Sequence, residues 1–176
     1  TELENNFYDV AISNVPFGNY GVFDKDYNKE NFKIHDYFFA KSLDKVKVGG
    51  VVAFITTKNT MDKMTPEIRE YLAKRSDLLG AIRLPKNAFP NTEVTTDIIF
   101  LQKREKMREE MPEWVNTEEY FTDVHINKYF LDHPEMVMGE FHKVSNQYGK
   151  FDFDVVNKDG NLNEMLEEAI NKLPHN

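Results

Sequence analysis

Asn14-Val15-Pro16-Phe17 follows the apolar run Tyr8-Asp9-Val10-Ala11-Ile12-Ser13, placing a side-chain amide, a rigid turn and an aromatic ring where a strand ends. Ligands of open α/β sheets bind at the carboxyl ends of the strands. An amide beside an aromatic ring there suits a flat heterocycle that carries an exocyclic amine. The bland reading of the same four residues is a strand-ending turn with a packed phenylalanine, so the surrounding elements decide between the two.

Those elements read as an alternating α/β chain. Ile34 to Phe39 opens an amphipathic helix whose apolar face continues through Leu43 and Val46, and Gly49-Gly50 ends it before the buried-type strand Val51-Val52-Ala53-Phe54-Ile55. Thr65-Pro66-Glu67 offers an N-cap, a first-turn proline and a first-turn acid to a second helix, in which Ile68, Tyr71 and Leu72 keep helical spacing. Leu78 to Leu84 and Thr95 to Leu101 are two further strands. Only Pro85 to Val94 joins them, too short for a crossover helix, so they are expected to be antiparallel neighbours.

With these elements around it, the tetrapeptide resembles the Asn-Pro-Pro-Phe/Tyr motif of amino-methyltransferases, above all the adenine-N6 DNA methyltransferases. The order of motif, helix, Gly-Gly strand, helix, Gly-Ala-Ile-Arg-Leu-Pro and Thr-Asp-Ile-Ile-Phe-Leu-Gln-Lys is similar to the M-subunit type and covers residues 8 to 104. The departure is Val15, where the motif has its first proline; Asn-Val-Pro-Phe-Gly resembles a variant found in a subgroup fused to large helicases on mobile elements. The fold implied is the C-terminal part of a Rossmann-like methyltransferase, a mostly parallel sheet ending in an antiparallel hairpin.

The resemblance also implies a chemistry. The adenine amine is a poor nucleophile because its lone pair is delocalised into the ring. Two acceptors holding its hydrogens draw the nitrogen toward a reactive, tetrahedral shape. By position these are the Asn14 side chain and the Val15 carbonyl, with Pro16 fixing the turn and Phe17 stacking on a base turned out of the duplex. Neither a metal nor a covalent nucleophile is required.

The methyl donor implied is S-adenosyl-L-methionine. In this type of enzyme its site comes first, as a glycine-rich strand-to-helix turn and an acidic strand end. Here only Thr1 to Phe7 precede the motif strand, and no Gly-x-Gly occurs among the 8 glycines. The expectation is therefore a C-terminal piece of a longer protein, inactive alone. The partners expected are the missing N-terminal half of the methyltransferase domain, DNA bound through the full-length protein, and a fused helicase or specificity domain. A methyltransferase acting on RNA or on protein glutamine, and a degenerate interaction module without catalysis, are the alternatives.

Charge divides the chain. Residues 1–105 carry 15 acidic and 15 basic side chains and residues 106–176 carry 15 and 7, so the whole formal charge of -8 lies in the second part. An acidic segment opposes phosphate neutralisation, so residues 106–176 are expected to be an α+β appendage and not a DNA clamp. With 40% hydrophobic residues and no cysteine, the chain is a globular piece without disulfides or thiolate metal sites. No apolar stretch approaches a membrane span, and the expected setting is cytoplasmic.

Other features read more simply. His35 near a helix start is a candidate contact to base or cofactor, though a first-turn histidine is more often a capping or solvent-facing group. Gly18 to Asn31 has the polarity and length of an active-site lid. Thr56, Thr57 and Lys58 end a central strand and are expected to line the pocket. Thr95, Thr96 and Asp97, at the start of the last strand, are expected to lie opposite the ligand edge as structural residues, and Lys86 to Pro90 likewise. The histidines show no metal-ligand spacing. Lys103 to Pro112 is a charged, solvated connector. Beyond it, Ile126 to Leu131 reads as a short helix, Phe141 to Val156 as a hairpin turning near Gly149, and Asn161 as the cap of an amphipathic helix bearing Leu162, Met165, Leu166, Ala169, Ile170 and Leu173.

Overall fold

A computed structural model describes residues 8–14, 34–88, 94–145, 148–158 and 160–174, the backbone alone for 8–14 and 34–36. The elements are β1 (Tyr8–Asn14), α1 (Ile34–Lys45), β2 (Val46–Thr57), α2 (Asn59–Asp62), α3 (Glu67–Arg75), β3 (Ser76–Leu84), β4 (Thr96–Lys103), β5 (Thr117–Phe121), β6 (Val124–Asn127), α4 (Lys128–Asp132), β7 (Glu140–Ser145), β8 (Phe151–Val156) and α5 (Leu162–Lys172). Two single-turn 3-10 helices, Glu113–Val115 and Pro134–Met136, punctuate the second half.

The main sheet has the order β1-β2-β4-β3. β1 and β2 are parallel, and β4 is antiparallel to both β2 and β3. The short return from β3 thus forms the expected hairpin, and β4 slots between two strands that run the same way. This is a mixed α/β sheet, described from β1 onward. In β2 one face alternates fully buried at Gly50, Val52, Phe54 and Thr56, the period a strand packed under helices requires. Phe39 of α1 meets Phe54 edge to face at 4.6 Å, and α3 contributes Ile68, Leu72 and Ala73 to the same core.

That core does not stop at residue 105. A single hydrophobic cluster runs from Phe39 through Ala81, Ile82 and Leu101 to Trp114, Phe130, Phe153 and Ala169. Close approach is visible at Gly80 of β3, where an added Cβ would lie 2.2 Å from Leu173 Cδ2 and 3.2 Å from the Tyr129 hydroxyl. The outer edge of β3 is covered too: Met138 N–H donates to the Arg83 carbonyl at 2.8 Å, and Val137 bridges Arg83 in parallel.

Several local expectations need correction. α1 ends at Lys45, and Val46 opens β2, where it remains buried; its apolar spacing fitted a helix, but the β-branched Val46 and Val48 belong to the extended segment. Gly49-Gly50 lie within β2, inside an irregularity at which the β1 register jumps from Val46 to Val51, and Gly49 takes φ +83° there. α3 is capped by Pro66 with no side-chain bond, so Thr65 stands one residue too early. Asn161 also precedes α5 without a side-chain cap, and its carbonyl instead receives Met165 N–H at 3.0 Å. Ile126 and Asn127 belong to β6, since the alternation of buried Val124 and Ile126 is that of a strand. Helix follows only from Lys128. The hairpin around Gly149 forms as expected, and α5 turns its apolar face to the core apart from Ile170, which is exposed.

Candidate functional site

Asn14 closes β1 with its Cα opposite Ile55 of β2, so it stands at the carboxyl edge of the sheet. Val15, Pro16 and Phe17 lie outside the described residues, as does the lid stretch Gly18 to Asn31; the His35 side chain does as well. The neighbouring strand exits are described. Thr56 pairs with Asp97 and Thr57 with Thr96, while Leu84 of β3 meets Thr96 from the other side. The start of β4 therefore sits at the same edge as the ends of β1, β2 and β3. This corrects the expectation that Thr95 to Asp97 lie opposite the ligand edge: antiparallel insertion inverts a strand, bringing its beginning where its neighbours finish.

The edge is held by a fully buried guanidinium. Arg83 donates from Nε to Asp97 Oδ1 at 2.8 Å and from Nη2 to Asp97 Oδ2 at 2.9 Å. It also grips Asp62 of α2 through Nη1 to Oδ2 at 2.8 Å and Nη2 to Oδ1 at 3.0 Å. The ring of Phe130 lies 4.2 Å from the guanidinium carbon. Burial pushes the Asp97 carboxyl above the usual carboxylate range, with Arg83 pulling against it. For Arg83 burial works downward, and the two carboxylates outweigh it and raise the group above its ordinary value. The guanidinium therefore stays charged, as a bidentate pair with both carboxylates requires.

Asn127 extends this network into the second half of the chain. Its N–H donates to Asp62 Oδ1 at 2.9 Å and its amide to the carbonyls of Met61 and Trp114 at 2.7 and 2.8 Å. Its side-chain oxygen caps α4 by accepting from Tyr129 N–H at 2.8 Å. Arg69, also buried and lowered by desolvation, donates to the carbonyls of Val115 and Thr60. Asp62, Arg69 and Asn127 escaped the sequence reading. The Arg83–Asp97 pair had a signal, since each interrupts an apolar strand and the hairpin register sets them opposite.

Of the expected pocket residues, Thr56 turns inward and shares a 3.0 Å hydrogen bond with Thr60. Lys58 is pinned by Asp152 at 2.6 Å. The connector is also less loose than expected: Arg104 Nη1 and Arg108 Nη2 both donate to Asp77 Oδ1, and their backbone N–H groups bond the carbonyls of Arg75 and Lys74. Among the described residues no group of three or more histidine, aspartate or glutamate side chains is placed to hold a metal. No helix among them is long and apolar enough to cross a membrane.

The profile of the N-6 DNA methylase family matches residues 2–171. The chain belongs to that family. No curated protein sequence matches it. Among solved structures, the methyltransferase subunit of a type I restriction-modification system from Streptococcus thermophilus is similar over 100% of this chain and 34% of its own, at 14% identity and a TM-score of 0.52. A modification subunit of a type I restriction enzyme from Vibrio vulnificus is similar over 93% and 40%, at 17% identity and a TM-score of 0.48. A class I S-adenosylmethionine-dependent methyltransferase from Listeria monocytogenes is similar over 63% and 37%, at 22% identity and a TM-score of 0.47. The chain thus spans 34% to 40% of the length of these proteins.

The described residues do not by themselves fit S-adenosylmethionine. They contain no glycine-rich strand-to-helix turn, and Asp62 and Asp97, the buried acids at the carboxyl edge, are both occupied by Arg83. The chain presents the strand exits from Asn14 across to Leu84 along one edge of the sheet.

Proposed function

We propose that this chain is the target-base half of a DNA adenine-N6 methyltransferase, which transfers a methyl group from S-adenosylmethionine to a flipped adenine in a restriction-modification system or mobile element. The observation that carries the reading is the position of Asn14 at the carboxyl end of β1, next to Ile55, in a chain of the N-6 DNA methylase family. In this reading the Asn14 side-chain oxygen and the Val15 carbonyl accept the amine hydrogens, Phe17 stacks on the base, and Pro16 sets the turn. Residues 1–105 form the C-terminal half of the catalytic domain and residues 106–176 an acidic appendage. The cofactor half and most DNA contacts come from other parts of a cytoplasmic assembly, including a helicase or specificity domain.

Two measurements test this. Calorimetry on the chain alone is expected to detect negligible S-adenosylmethionine binding, and tight stoichiometric binding would place the cofactor site within these residues. In the complete enzyme, Phe17→Ala should lower methylation of adenine in DNA by the worth of a base–aromatic stack, ~1–3 kcal/mol. Val15→Pro should retain activity, because Pro16 already biases position 15 toward extended geometry and only an N–H is lost. Inactivation of a well-folded Val15→Pro enzyme, or indifference to Phe17→Ala, would overturn the flipped-adenine assignment.

A further inference from the structure

β8 crosses the carboxyl edge, and its contacts there exceed what packing an apolar strand requires. Its alternation separates two faces: Phe153 and Val155 are buried, while Asp152 and Asp154 lie toward solvent. Thr95 is the junction. Its carbonyl accepts Lys58 N–H at 3.1 Å, and its hydroxyl accepts Val155 N–H at 3.2 Å. The Val155 carbonyl in turn accepts Lys86 N–H at 3.0 Å.

The Lys58 side chain closes the same circuit. Its ammonium donates to Asp152 Oδ1 at 2.6 Å and lies 4.4 Å from the centre of the Phe153 ring. With a side-chain exposure of 15%, this lysine is sheltered enough for both interactions to exceed those of a surface pair. The neighbouring Lys86–Asp154 pair is longer, at 3.4 Å, and 41% exposed on the lysine side. Lys58 follows Thr56 and Thr57, and Ile55 is the register partner of Asn14. The β2 exit is therefore joined by strand pairing to the end of β1 that carries Asn14.

We propose that β8 is a clamp on the target-base edge and that Lys58 is its positioning residue, tying the end of β2 to the appendage and holding it beside Asn14. This gives the acidic appendage a part in the reaction: Asp152 acts through Lys58 on the geometry of the edge. The role in turnover rests on the methyltransferase reading, whereas the clamp itself rests on the contacts alone.

The test uses the complete methyltransferase with Lys58→Met, Asp152→Asn, the exchanged pair Lys58→Glu/Asp152→Lys, and Lys86→Met for comparison. Amide hydrogen exchange is read at Lys58 and Val155, and kcat is compared with the dissociation constant for S-adenosylmethionine. Lys58→Met and Asp152→Asn should each speed exchange at both amides and lower kcat about tenfold, a change of ~1.4 kcal/mol, with cofactor affinity unchanged. The exchanged pair should recover most of the loss, and Lys86→Met should change neither quantity. Unchanged exchange would show that there is no clamp; faster exchange with normal kcat would reduce β8 to packing. If the unsubstituted protein methylates no adenine at all, the functional reading fails, and the exchange data still decide the clamp.

Discussion

Replacing Asn14 by alanine in the complete enzyme is expected to cut methyl transfer at least a hundredfold while leaving folding and S-adenosylmethionine affinity nearly intact. The adenine amine must give up its conjugation with the ring to attack a methyl group. A fixed acceptor holding its hydrogen favours localisation of the lone pair and binds most strongly as the nitrogen gains positive charge, while the N–C bond forms and the S–C bond of the donor breaks. Loss of one preorganised partner of this kind costs ~3 kcal/mol of transition-state stabilisation. The backbone of Asn14 ends β1 in register with Ile55, so the proposed acceptor is carried by an element and not by a free loop. Folding should tolerate the change, since the strand is held by its pairing with β2. A variant that turns over adenine at a near-normal rate would show that another group takes the amine hydrogens.

Arg83→Met is expected to give the largest loss of stability. Methionine fills much of the space between Phe130 and Phe153, but it leaves Asp62 and Asp97 facing one another without their cation. Removing one partner of a buried ion pair typically costs ~3–5 kcal/mol, a large share of the ~5–15 kcal/mol that holds a domain folded. The deficit should depend on pH. Burial already raises the Asp97 carboxyl with Arg83 present. Without the guanidinium the folded-state value rises further above the unfolded one, so protonation favours the folded variant. Its stability should accordingly recover as pH falls through the raised value and decline again as pH rises through it. Urea unfolding of the two proteins at neutral and acidic pH measures both effects. A difference below ~1 kcal/mol at neutral pH would mean that packing, and not the ion pair, holds this junction.

The strands of the main sheet were legible because each carries a long β-branched or apolar run, as in Val51 to Ile55 and Ile98 to Leu101. The β3–β4 hairpin followed from loop length alone. Helix limits were less legible, since Val46 satisfies helical spacing and strand burial equally, and Thr65 and Asn161 look like caps although neither side chain makes the bond. The misplacement of Thr95 to Asp97 comes from the expected antiparallel hairpin not being carried to its consequence, that the last strand starts at the edge where its neighbours end. The motif residue Asn14 could be placed at a strand end because Tyr8 to Ser13 is a plain strand. Asp62 and Asn127 could not be found, because their meaning lies in contacts across 65 positions of chain, and no local pattern records a partner at that separation.

One further property follows from the double anchoring of the connector on Asp77. Arg104 and Arg108 tie both ends of Glu105-Lys106-Met107 to the start of β3, and all three residues between them are exposed. Lys103, just before them, pairs with Ser76 at the end of the sheet away from Asn14. The spacing of the loop's ends is thus set by the arginines, with Arg104 Nε also donating to the Lys106 carbonyl at 3.1 Å, and lengthening such a loop is inexpensive, ~0.6 kcal/mol per doubling. A reporter domain or affinity handle spliced between Lys106 and Met107 would hang from the far rim of the sheet, giving a way to label or immobilise the protein without touching the strand exits.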